Sequence, residues 1–422
     1  MKSKLGWLAT RAVSSVALLA PLVGCADLGS PPATETEDPL FNAADNGLST
    51  SNGLSTSNGL ATSNGLSTSN GLSTSNGLST SNGLSTSNGL MTTASSRVMV
   101  KYLAKCALAT GVNLVKNDQY GTVYTFNGSL GLGPQWLNGT CDAGCQQRVT
   151  ACLLAMANRD GKHVAIELVS AGAGMTTIGA TGDDVNYPNQ EGSVFGNLFP
   201  SPPQMYTCAG ADGDHASQVK RFCIDGTGCD LFTKAAPCAT ACTQTCSTGP
   251  GGKKICAASS CKSPNGTSWA SPLTIYLRNQ MEAGNFDATG GSTFGNGVTL
   301  FAMLGGTQGI SGVDDQDWVQ MNDVQFGAAG SAKTFTATIA TLNPGNVIEL
   351  RVDSVSGPVI SSITTTSTGS LGTTAAESAP IASAGISGAH TVYVTFNGAA
   401  NRASGLNGAG KAFGNISYFE IK

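Results

Sequence analysis

The sequence predicts a mainly β protein with a small α+β part, built from consecutive segments of different character. Apolar and polar residues alternate at period two in the segments 317–354, 391–396 and 415–421, as in antiparallel strands with one face on a core and one in water. The 55 glycines and 6% aromatic residues indicate many turns and short strands, and not a helical bundle. Twelve of the 13 cysteines fall between positions 106 and 261, and the length of 422 residues allows two or three domains.

Residues 1–24 have the pattern of a targeting segment. Lys2, Lys4 and Arg11 supply positive charge around the start of an apolar run that is short for a membrane span. The run ends in Leu-Val-Gly before Cys25, which resembles the bacterial lipobox, whose cysteine receives diacylglycerol and becomes the new N-terminus. Removing Cys25 from 13 cysteines also leaves an even 12. We therefore expect a lipid-anchored protein of the bacterial cell envelope, at the outer membrane and facing the exterior. An ordinary signal peptide with a structural Cys25 is the alternative.

A polar tether, 25–45, and a low-complexity repeat linker, 46–96, follow the targeting segment. Asn-Gly-Leu begins at position 46 and recurs every six residues up to position 88, and no charged residue lies between Asp45 and Arg97. One apolar residue in six cannot offset a backbone ordering cost of about 1–2 kcal/mol per residue. The repeat therefore favours a flexible spacer. A β-solenoid with stacked leucines is the alternative, because hexapeptide periods can coil in that way.

Residues 97–278 are predicted to form a disulfide-rich α+β domain. Apolar residues at helical spacing after Arg97 predict one helix, and a second is expected from a cap at Asn138 to a stop before Gly161. The stretches TVYTFNG and HVAIELVS each predict a strand.

The cysteines of this segment are expected to form up to six disulfides, because an exported chain matures in an oxidising compartment. Cys238, Cys242 and Cys246 recur every four residues and would line one face of a helix. A zinc or iron–sulfur site is the alternative, but such sites favour C-x-x-C pairs or nearby histidines, and the chain has 3 histidines. The candidates for disulfides are Cys106, Cys141, Cys145, Cys152, Cys208, Cys223, Cys229, Cys238, Cys242, Cys246, Cys256 and Cys261.

No catalytic motif stands out in residues 97–278. The patterns G-x-S-x-G, H-E-x-x-H and G-x-x-x-x-G-K-[ST] are absent. A glycosidase needs two carboxylates at a defined separation, and the acids available are Glu167, Asp183, Asp184, Glu191, Asp212 and Asp214. Acidic loop residues are mostly solvated, so an enzyme is the less favoured interpretation and no catalytic residue is assigned. A net charge of -4 with 11% charged residues also argues against a nucleic-acid partner.

A set of short motifs runs through residues 279–422. It comprises Gln280-Met281-Glu282-Ala283, Asp317-Trp318, Val324-x-Phe326-Gly327, Ile348-Glu349-Leu350-Arg351-Val352-Asp353-Ser354, Gly388-x-His390-x-x-Tyr393-Val394-x-Phe396 and Asn415-Ile416-x-Tyr418-Phe419. This set resembles the family 6 carbohydrate-binding modules. The resemblance implies a C-terminal β-sandwich jelly roll with polysaccharide as its partner.

The resemblance also implies where a sugar would bind at the ends of the loops. In that family, a loop-end cleft holds a sugar ring between two aromatic rings, and an asparagine binds the sugar hydroxyls. The two aromatic positions fall on Gly312 and Leu371 here, while Asn415 is kept as a candidate ligand-binding residue. Stacking of a sugar on aromatic rings at this cleft should therefore be lost.

Members of the family hold a structural calcium ion, and we expect that calcium site to be weak or absent in this chain. Of its expected side-chain ligands Glu282 is kept, whereas the others fall on Gly284 and Ser417. Backbone carbonyls could still supply oxygen ligands. No other cofactor is expected.

Some members of the family use the concave face of one sheet as a second binding surface. Here Glu349, Arg351 and Asp353 should alternate outward along one strand, with Trp318 at their border. These four residues are the candidate ligands of that face. The alternative is that Trp318 belongs to the core and that the three charges form a solvated strand face.

The favoured function is a surface-anchored lipoprotein that binds polysaccharide through its C-terminal module and contacts the membrane through its lipid. One alternative is a structural or adhesive envelope protein whose sandwich has lost sugar binding. Another is a secreted glycan-degrading enzyme with its catalytic part in 97–278. The missing aromatics at Gly312 and Leu371 favour the first alternative, whereas the matching framework, in which His390 and Tyr393 are interpreted as packing residues, favours binding.

Overall fold

In the computed structural model of this chain, the described residues are 33–34, 44–45, 48–49, 84, 91, 94–158, 164–173, 187, 189–200, 202–210, 232–248, 254–278, 280–291, 297–302, 308–398 and 413–422. The predicted targeting segment 1–24, Cys25 and most of the hexapeptide repeat lie outside these residues. So do four of the candidate acids, Asp183, Asp184, Asp212 and Asp214.

The first part of the chain contains short strands and the helices. In chain order its elements are β1 (Ala33–Thr34), β2 (Ala44–Asp45), β3 (Leu48–Ser49), α1 (Ala94–Ala107), β4 (Asn113–Asn117), β5 (Val123–Asn127), α2 (Ala143–Met156), β6 (Ala157–Asn158), β7 (Ala165–Val169), β8 (Asn189–Asn197), β9 (Gln204–Ala209), β10 (Thr233–Lys234), α3 (Cys238–Ala241), β11 (Cys242–Thr248), β12 (Lys254–Lys262), β13 (Ser268–Trp269) and β14 (Leu273–Leu277). α1, β5 and β7 confirm the first predicted helix and the two predicted strands. In the described part of the chain, no helix has the length and apolar character needed to cross a membrane.

α2 begins later than the sequence predicts. Its N-terminal cap is Asp142, whose side chain accepts a hydrogen bond from the Cys145 amide at 2.8 Å. The predicted cap at Asn138 is wrong, because Asn138 is the C-terminal cap of a 3-10 turn, Pro134–Leu137, and α2 begins at Ala143. α2 ends at Met156, before Gly161 as predicted, and β6 follows directly.

The middle part is layered around a six-stranded sheet of order β10-β9-β8-β14-β7-β2. One face of this sheet shares a core with α1 and α2, to which β14 contributes Leu273, Ile275 and Leu277. A three-stranded sheet of order β11-β12-β13 packs on the other face through a smaller cluster that includes Phe195 and Trp269. Because both faces are covered, β8 is buried along nearly all of its length.

Five disulfides join ten of the candidate cysteines within the described residues. They are Cys106–Cys152, Cys141–Cys145, Cys208–Cys238, Cys242–Cys261 and Cys246–Cys256. These bridges confirm the disulfide prediction for the ten residues. Cys223 and Cys229 lie outside the described residues.

The expected helix through Cys238, Cys242 and Cys246 is wrong. α3 is a single turn, and the chain continues as β11, in which Cys242 and Cys246 lie opposite Cys261 and Cys256 of β12. Pairing with the next strand along the chain, closed by two disulfides, overrides the local helical spacing.

The C-terminal part consists of strands. They are β15 (Gln280–Glu282), β16 (Ala288–Gly290), β17 (Thr299–Ala302), β18 (Gln308–Ser311), β19 (Trp318–Gln325), β20 (Thr334–Ala340), β21 (Val347–Val352), β22 (Val359–Thr364), β23 (Ala375–Pro380), β24 (Ala389–Asn397) and β25 (Asn415–Ile421). A 3-10 turn, Ala283–Asn285, follows β15.

These strands form two antiparallel sheets, which confirms the predicted β-sandwich. The five-stranded sheet has the order β16-β19-β24-β21-β22, and the other has the order β17-β18-β25-β20-β23, with β15 also paired to β25. We call the second one the β25 sheet. Val319, Ile348 and Val394 of the five-stranded sheet share one buried core with Phe335 and Phe419 of the β25 sheet. The period-two alternation therefore reflects one strand face in this core and one outside it.

Arg278 joins the middle part to the sandwich. Its guanidinium carbon lies 4.6 Å from the ring centroid of the buried Tyr187 and 5.8 Å from that of Tyr418. Its Nη1 donates a hydrogen bond to the Tyr418 hydroxyl at 2.8 Å. Because Tyr418 belongs to β25, this contact lies on the β25-sheet side of the sandwich.

Candidate functional site

The outward side of the five-stranded sheet carries aromatic and polar side chains. Inward residues of its strands, such as Val319 and Val394, are buried in the core, so their neighbours in sequence point away from it. We call this outward surface the outer face. Its half-buried members are Trp318 and Gln320 of β19, Glu349 and Arg351 of β21, and Tyr393 and Thr395 of β24.

Trp318 lies across the edge of the outer face, over the backbone of Gly290. A Cβ atom placed on Gly290 would come within 2.6 Å of Cζ2 and 2.9 Å of Cε2 of the indole. The Tyr393 ring lies next to it, with centroids 5.7 Å apart and planes at 62°. Glycine at 290 therefore lets the indole lie along the sheet, and Trp318 is not a core residue.

Arg351 is the centre of a hydrogen-bonded network beside the aromatic pair. Its Nη2 donates to Oε2 of Glu349 at 2.7 Å, its Nε to Oγ1 of Thr395 at 3.3 Å, and its Nη1 to the Gly357 carbonyl at 2.6 Å. The Thr395 hydroxyl also donates to Oε2 of Glu349 at 3.2 Å. The two charges therefore neutralise each other and hold several polar groups in fixed positions.

Asp353 does not continue the alternation of Glu349 and Arg351, and that expectation is wrong. β21 ends at Val352, and Asp353 has a φ of 61°, outside the strand region. Its carboxylate lies 3.0 Å from Nδ1 of His390. The left-handed backbone turns the side chain towards this partner, away from the strand alternation.

His390 and Tyr393, both predicted to be packing residues, have different surroundings in the structure. The His390 ring packs edge-on against the buried Phe326, with centroids 5.7 Å apart. Tyr393 packs against Trp318, but on the outer face. The parity of β24 could have revealed this, because Tyr393 lies between the buried Val392 and Val394.

The loop-end cleft lacks an aromatic side chain at the two positions where the resemblance implies one. Gly312 has a φ of 70°, and a Cβ atom there would come within 2.8 Å of the Gly297 carbonyl oxygen. Leu371 is 38% exposed. The side-chain amide of Asn415 donates to the Leu371 carbonyl at 3.1 Å, so the backbone of the cleft already binds one polar group of this candidate residue.

The three positions expected to hold calcium offer few side-chain oxygens. Calcium takes six to eight oxygen ligands, but Oε2 of Glu282 accepts a hydrogen bond from the Gln308 amide at 2.9 Å. Gly284 brings no carboxylate, since a Cβ atom there would lie 2.8 Å from the Gln308 carbonyl oxygen. The Ser417 hydroxyl donates to the Thr338 carbonyl at 3.1 Å. The expectation of a weak or absent calcium site stays a prediction.

Two of the candidate glycosidase acids lie within strands of the middle part. Glu167 of β7 is 1% exposed and Glu191 of β8 is 7% exposed. Both carboxylates are thus buried within the middle part and are not loop acids.

The C-terminal part is thus a two-sheet sandwich with aromatic and polar side chains on its outer face, and the comparison with protein families agrees with this fold. Residues 282–420 match the family described as carbohydrate binding module (family 6). This match confirms the resemblance and identifies the C-terminal segment as a module of that family.

The similar proteins share this segment with the chain. An arabinoxylan arabinofuranohydrolase of Paenibacillus polymyxa is 38% identical over 89 residues, 21% of this chain and 13% of that protein. The corresponding protein of Bacillus subtilis (strain 168) is 30% identical over 114 residues, 27% of this chain and 20% of that protein. The chain thus spans a small share of these curated relatives. A family 6 module of Clostridium stercorarium, solved with cellobiose, is 24% identical and superposes with a TM-score of 0.27 over 34% of this chain and 92% of that one.

Proposed function

We propose that the chain is a surface-anchored lipoprotein that binds polysaccharide, and that the outer face of its family 6 module holds the glycan. The position of Trp318 over Gly290, beside the network of Arg351, carries the proposal. Sugar rings have apolar C–H faces that stack on aromatic rings, and their hydroxyls need fixed polar partners. The outer face offers both kinds of contact within one sheet.

The charge balance of the outer face favours a neutral polysaccharide. Arg351 already donates to Glu349, Thr395 and the Gly357 carbonyl. A uronic acid would have to compete with these bonds for the guanidinium. A sheet face that is open along its length suits internal segments of a polymer better than chain ends.

The anchoring half of the proposal rests on the sequence before residue 97. The lipobox-like end of the targeting segment at Cys25 supplies a lipid, and the hexapeptide repeat supplies a spacer that lifts the module from the membrane. Placement at the outer membrane, facing the exterior, would bring the module into contact with external polysaccharide.

Affinity electrophoresis of the full chain in gels of neutral polysaccharides tests the binding half. The variants are Trp318→Ala, which removes the indole, and Gly290→Val, which keeps the indole but occupies its place. Each should weaken retention about tenfold, which corresponds to about 1.4 kcal/mol. Gly385→Val is the matched glycine control, because a Cβ atom there meets nothing within 4 Å.

A variant in the loop-end cleft tests whether the glycan binds there and not on the outer face. Asn415→Ala should leave retention unchanged if the outer face holds the glycan. Loss of retention in Asn415→Ala with normal retention in Trp318→Ala would place the site at the loop end and overturn the proposal. Circular dichroism should show all variants folded.

The absence of an aromatic side chain at Gly312 and Leu371 favours a second function, a structural or adhesive envelope protein. Wild-type protein that no polysaccharide gel retains would support this function. Release of sugar from arabinoxylan by the wild-type chain would instead support the enzyme alternative.

A further inference from the structure

One unit of the hexapeptide repeat is part of the core of the middle part. Leu84, from the Asn-Gly-Leu unit that begins at residue 82, is 1% exposed and belongs to the core that α1 and α2 share with the six-stranded sheet. Its amide donates a hydrogen bond to the Trp136 carbonyl at 2.7 Å. The middle part thus binds this unit through one apolar side chain and one backbone group. We call this place the Leu84 site.

The Leu84 site is held in position by the core around it. Trp136 lies in a 3-10 turn, is fully buried, and packs edge-on against Phe199, with ring centroids 5.3 Å apart. The Leu84 amide therefore meets a carbonyl whose position the core fixes. Further along the chain Met91 is also 1% exposed, and Nη1 of Arg97 donates to its carbonyl at 3.2 Å. The chain is thus held again before α1.

The first unit of the repeat also contacts the middle part. β3 pairs in parallel with β6, and Leu48 lies opposite Ala157. The units between Leu48 and Leu84 carry the leucines Leu54, Leu60, Leu66, Leu72 and Leu78. Leu78 has the same flanking sequence as Leu84, with Ser-Thr-Ser-Asn-Gly before it and Ser-Thr-Ser after it. Several units of one chain therefore offer the same ligand to the Leu84 site.

The two groups that the structure shows in the Leu84 site, a leucine side chain and its amide, occur in every unit. Placing Leu78 in the site would lengthen the segment to Met91 by one six-residue period. Loop-closure entropy makes this about two- to threefold less favourable than placing Leu84 there. The upstream units are also tethered to the site, so their effective concentration exceeds that of units on another molecule.

We propose that the Leu84 site is a general binding site for the Asn-Gly-Leu units of this chain, and that it binds Leu84 and the upstream units in turn. Each exchange moves six residues from one side of the site to the other while a leucine stays buried. The repeat is then a ligand of the middle part as well as a spacer. This inference does not depend on glycan binding.

Denaturant unfolding of full-length variants tests the exchange. Leu84→Ala should lower the folding equilibrium constant of the middle part about two- to threefold, because another unit replaces the lost side chain. Leu103→Ala, at a fully buried position of α1 in the same core, has no such substitute and should lower it at least about thirtyfold. A loss in Leu84→Ala as large as that in Leu103→Ala would overturn the proposal.

A background without substitute units distinguishes exchange from a small contribution of Leu84. This background carries the changes Leu54→Ser, Leu60→Ser, Leu66→Ser, Leu72→Ser and Leu78→Ser. These changes alone should leave the folding equilibrium constant within about twofold of the wild type. Adding Leu84→Ala should then lower it at least about thirtyfold. A loss of about two- to threefold in this background as well would also overturn the proposal.

Methionine oxidation by peroxide shows which unit occupies the site. Leu78→Met, introduced into that background in place of Leu78→Ser, adds an oxidisable side chain of similar volume. This side chain should oxidise at least about fivefold more slowly when Leu84→Ala is also present, because it then lies in the site. Mass spectrometry measures both rates. Equal rates, or a variant that does not fold, would contradict the exchange.

Sedimentation equilibrium of Leu84→Ala identifies the source of the substitute unit. We expect the mass of the wild type at every protein concentration, since the substitute belongs to the same chain. A larger, concentration-dependent mass in Leu84→Ala alone would show that a unit of another copy fills the site. That result would contradict the assignment to units of the same chain.

Discussion

Two glycines of the sandwich have opposite effects on where an aromatic ring can lie. Gly290 has no side chain, and so the Trp318 indole can lie over its backbone on the outer face. Gly312 occupies a left-handed position, φ 70°, where a Cβ atom would meet the Gly297 carbonyl oxygen. A large ring at 312 would require that loop to move. The same residue type thus provides a platform on one surface and excludes a ring from the other.

Lys116 should reduce the stability of the middle part at neutral pH. It is 4% exposed on β4, and burial lowers its pKa from 10.5 to about 8. Below pH 8 the buried amine is charged, and the penalty is fully present. Between about 8 and 10.5 the folded state loses this proton before the unfolded state does, so stability rises through that window.

We expect Lys116→Met to raise the free energy of unfolding at pH 7 by about 1–3 kcal/mol, with a smaller gain at pH 9.5. Denaturant unfolding at both pH values measures this difference. Lys254→Met, at an exposed position, is the control. A less stable Lys116→Met at pH 7 would mean that the contacts of the amine outweigh its desolvation.

Among the elements, the strands with period-two alternation could be predicted from the sequence, because burial of one face fixes that pattern. β21 and β24 follow it, and the half-buried Arg351 and Tyr393 lie on the outer face as their parity requires. The predicted helix through Cys238 and Cys246 failed because the next strand, β12, pairs with β11 and two disulfides join the two strands. The place of Trp318 depended on a distant residue, Gly290, which the spacing within β19 does not reveal.

Disulfides that close different lengths of chain should contribute unequally to stability. Cys106–Cys152 closes 46 residues between α1 and α2, whereas Cys246–Cys256 closes 10 within a hairpin. Loop-closure entropy gives about 4 kcal/mol for the first and about 3 kcal/mol for the second. Replacing both cysteines of each pair by alanine should therefore destabilise the oxidised protein more at the helix bridge. Calorimetry of the two double variants measures the difference, and the reverse order would show that packing around the hairpin outweighs loop entropy.

At the scale of the whole molecule, the domain boundary near residue 278 stays a prediction. Arg278 contacts both the middle part, at Tyr187, and the sandwich, at Tyr418. Arg278→Leu removes the guanidinium between Tyr187 and Tyr418 and should cost about 1–3 kcal/mol of coupling between the parts. Hydrogen exchange in β25 and around Tyr187 should increase together. Tyr418→Phe keeps the ring and loses its hydrogen bond, so its effect should be smaller. Unchanged exchange in Arg278→Leu would show that other contacts hold the parts together.

Membrane attachment is predicted to depend on Cys25. Cys25→Ser should move the protein from the membrane fraction to the soluble fraction, because the attached lipid is the proposed anchor. Ultracentrifugation of detergent-free lysates gives the readout, and Cys223→Ser serves as a cysteine control. Sedimentation of Cys25→Ser with membranes would contradict the lipid anchor.

The contact of Arg278 with Tyr418 lies on the β25 sheet, whereas the outer face belongs to the five-stranded sheet on the other side of the sandwich core. If that face holds glycan as proposed, a bound polymer lies on the side of the sandwich away from the Arg278 contact. Several anchored copies can then engage one polymer side by side. Weak single contacts would add up to firm retention through avidity, because each bound copy raises the effective concentration of polymer at its neighbours.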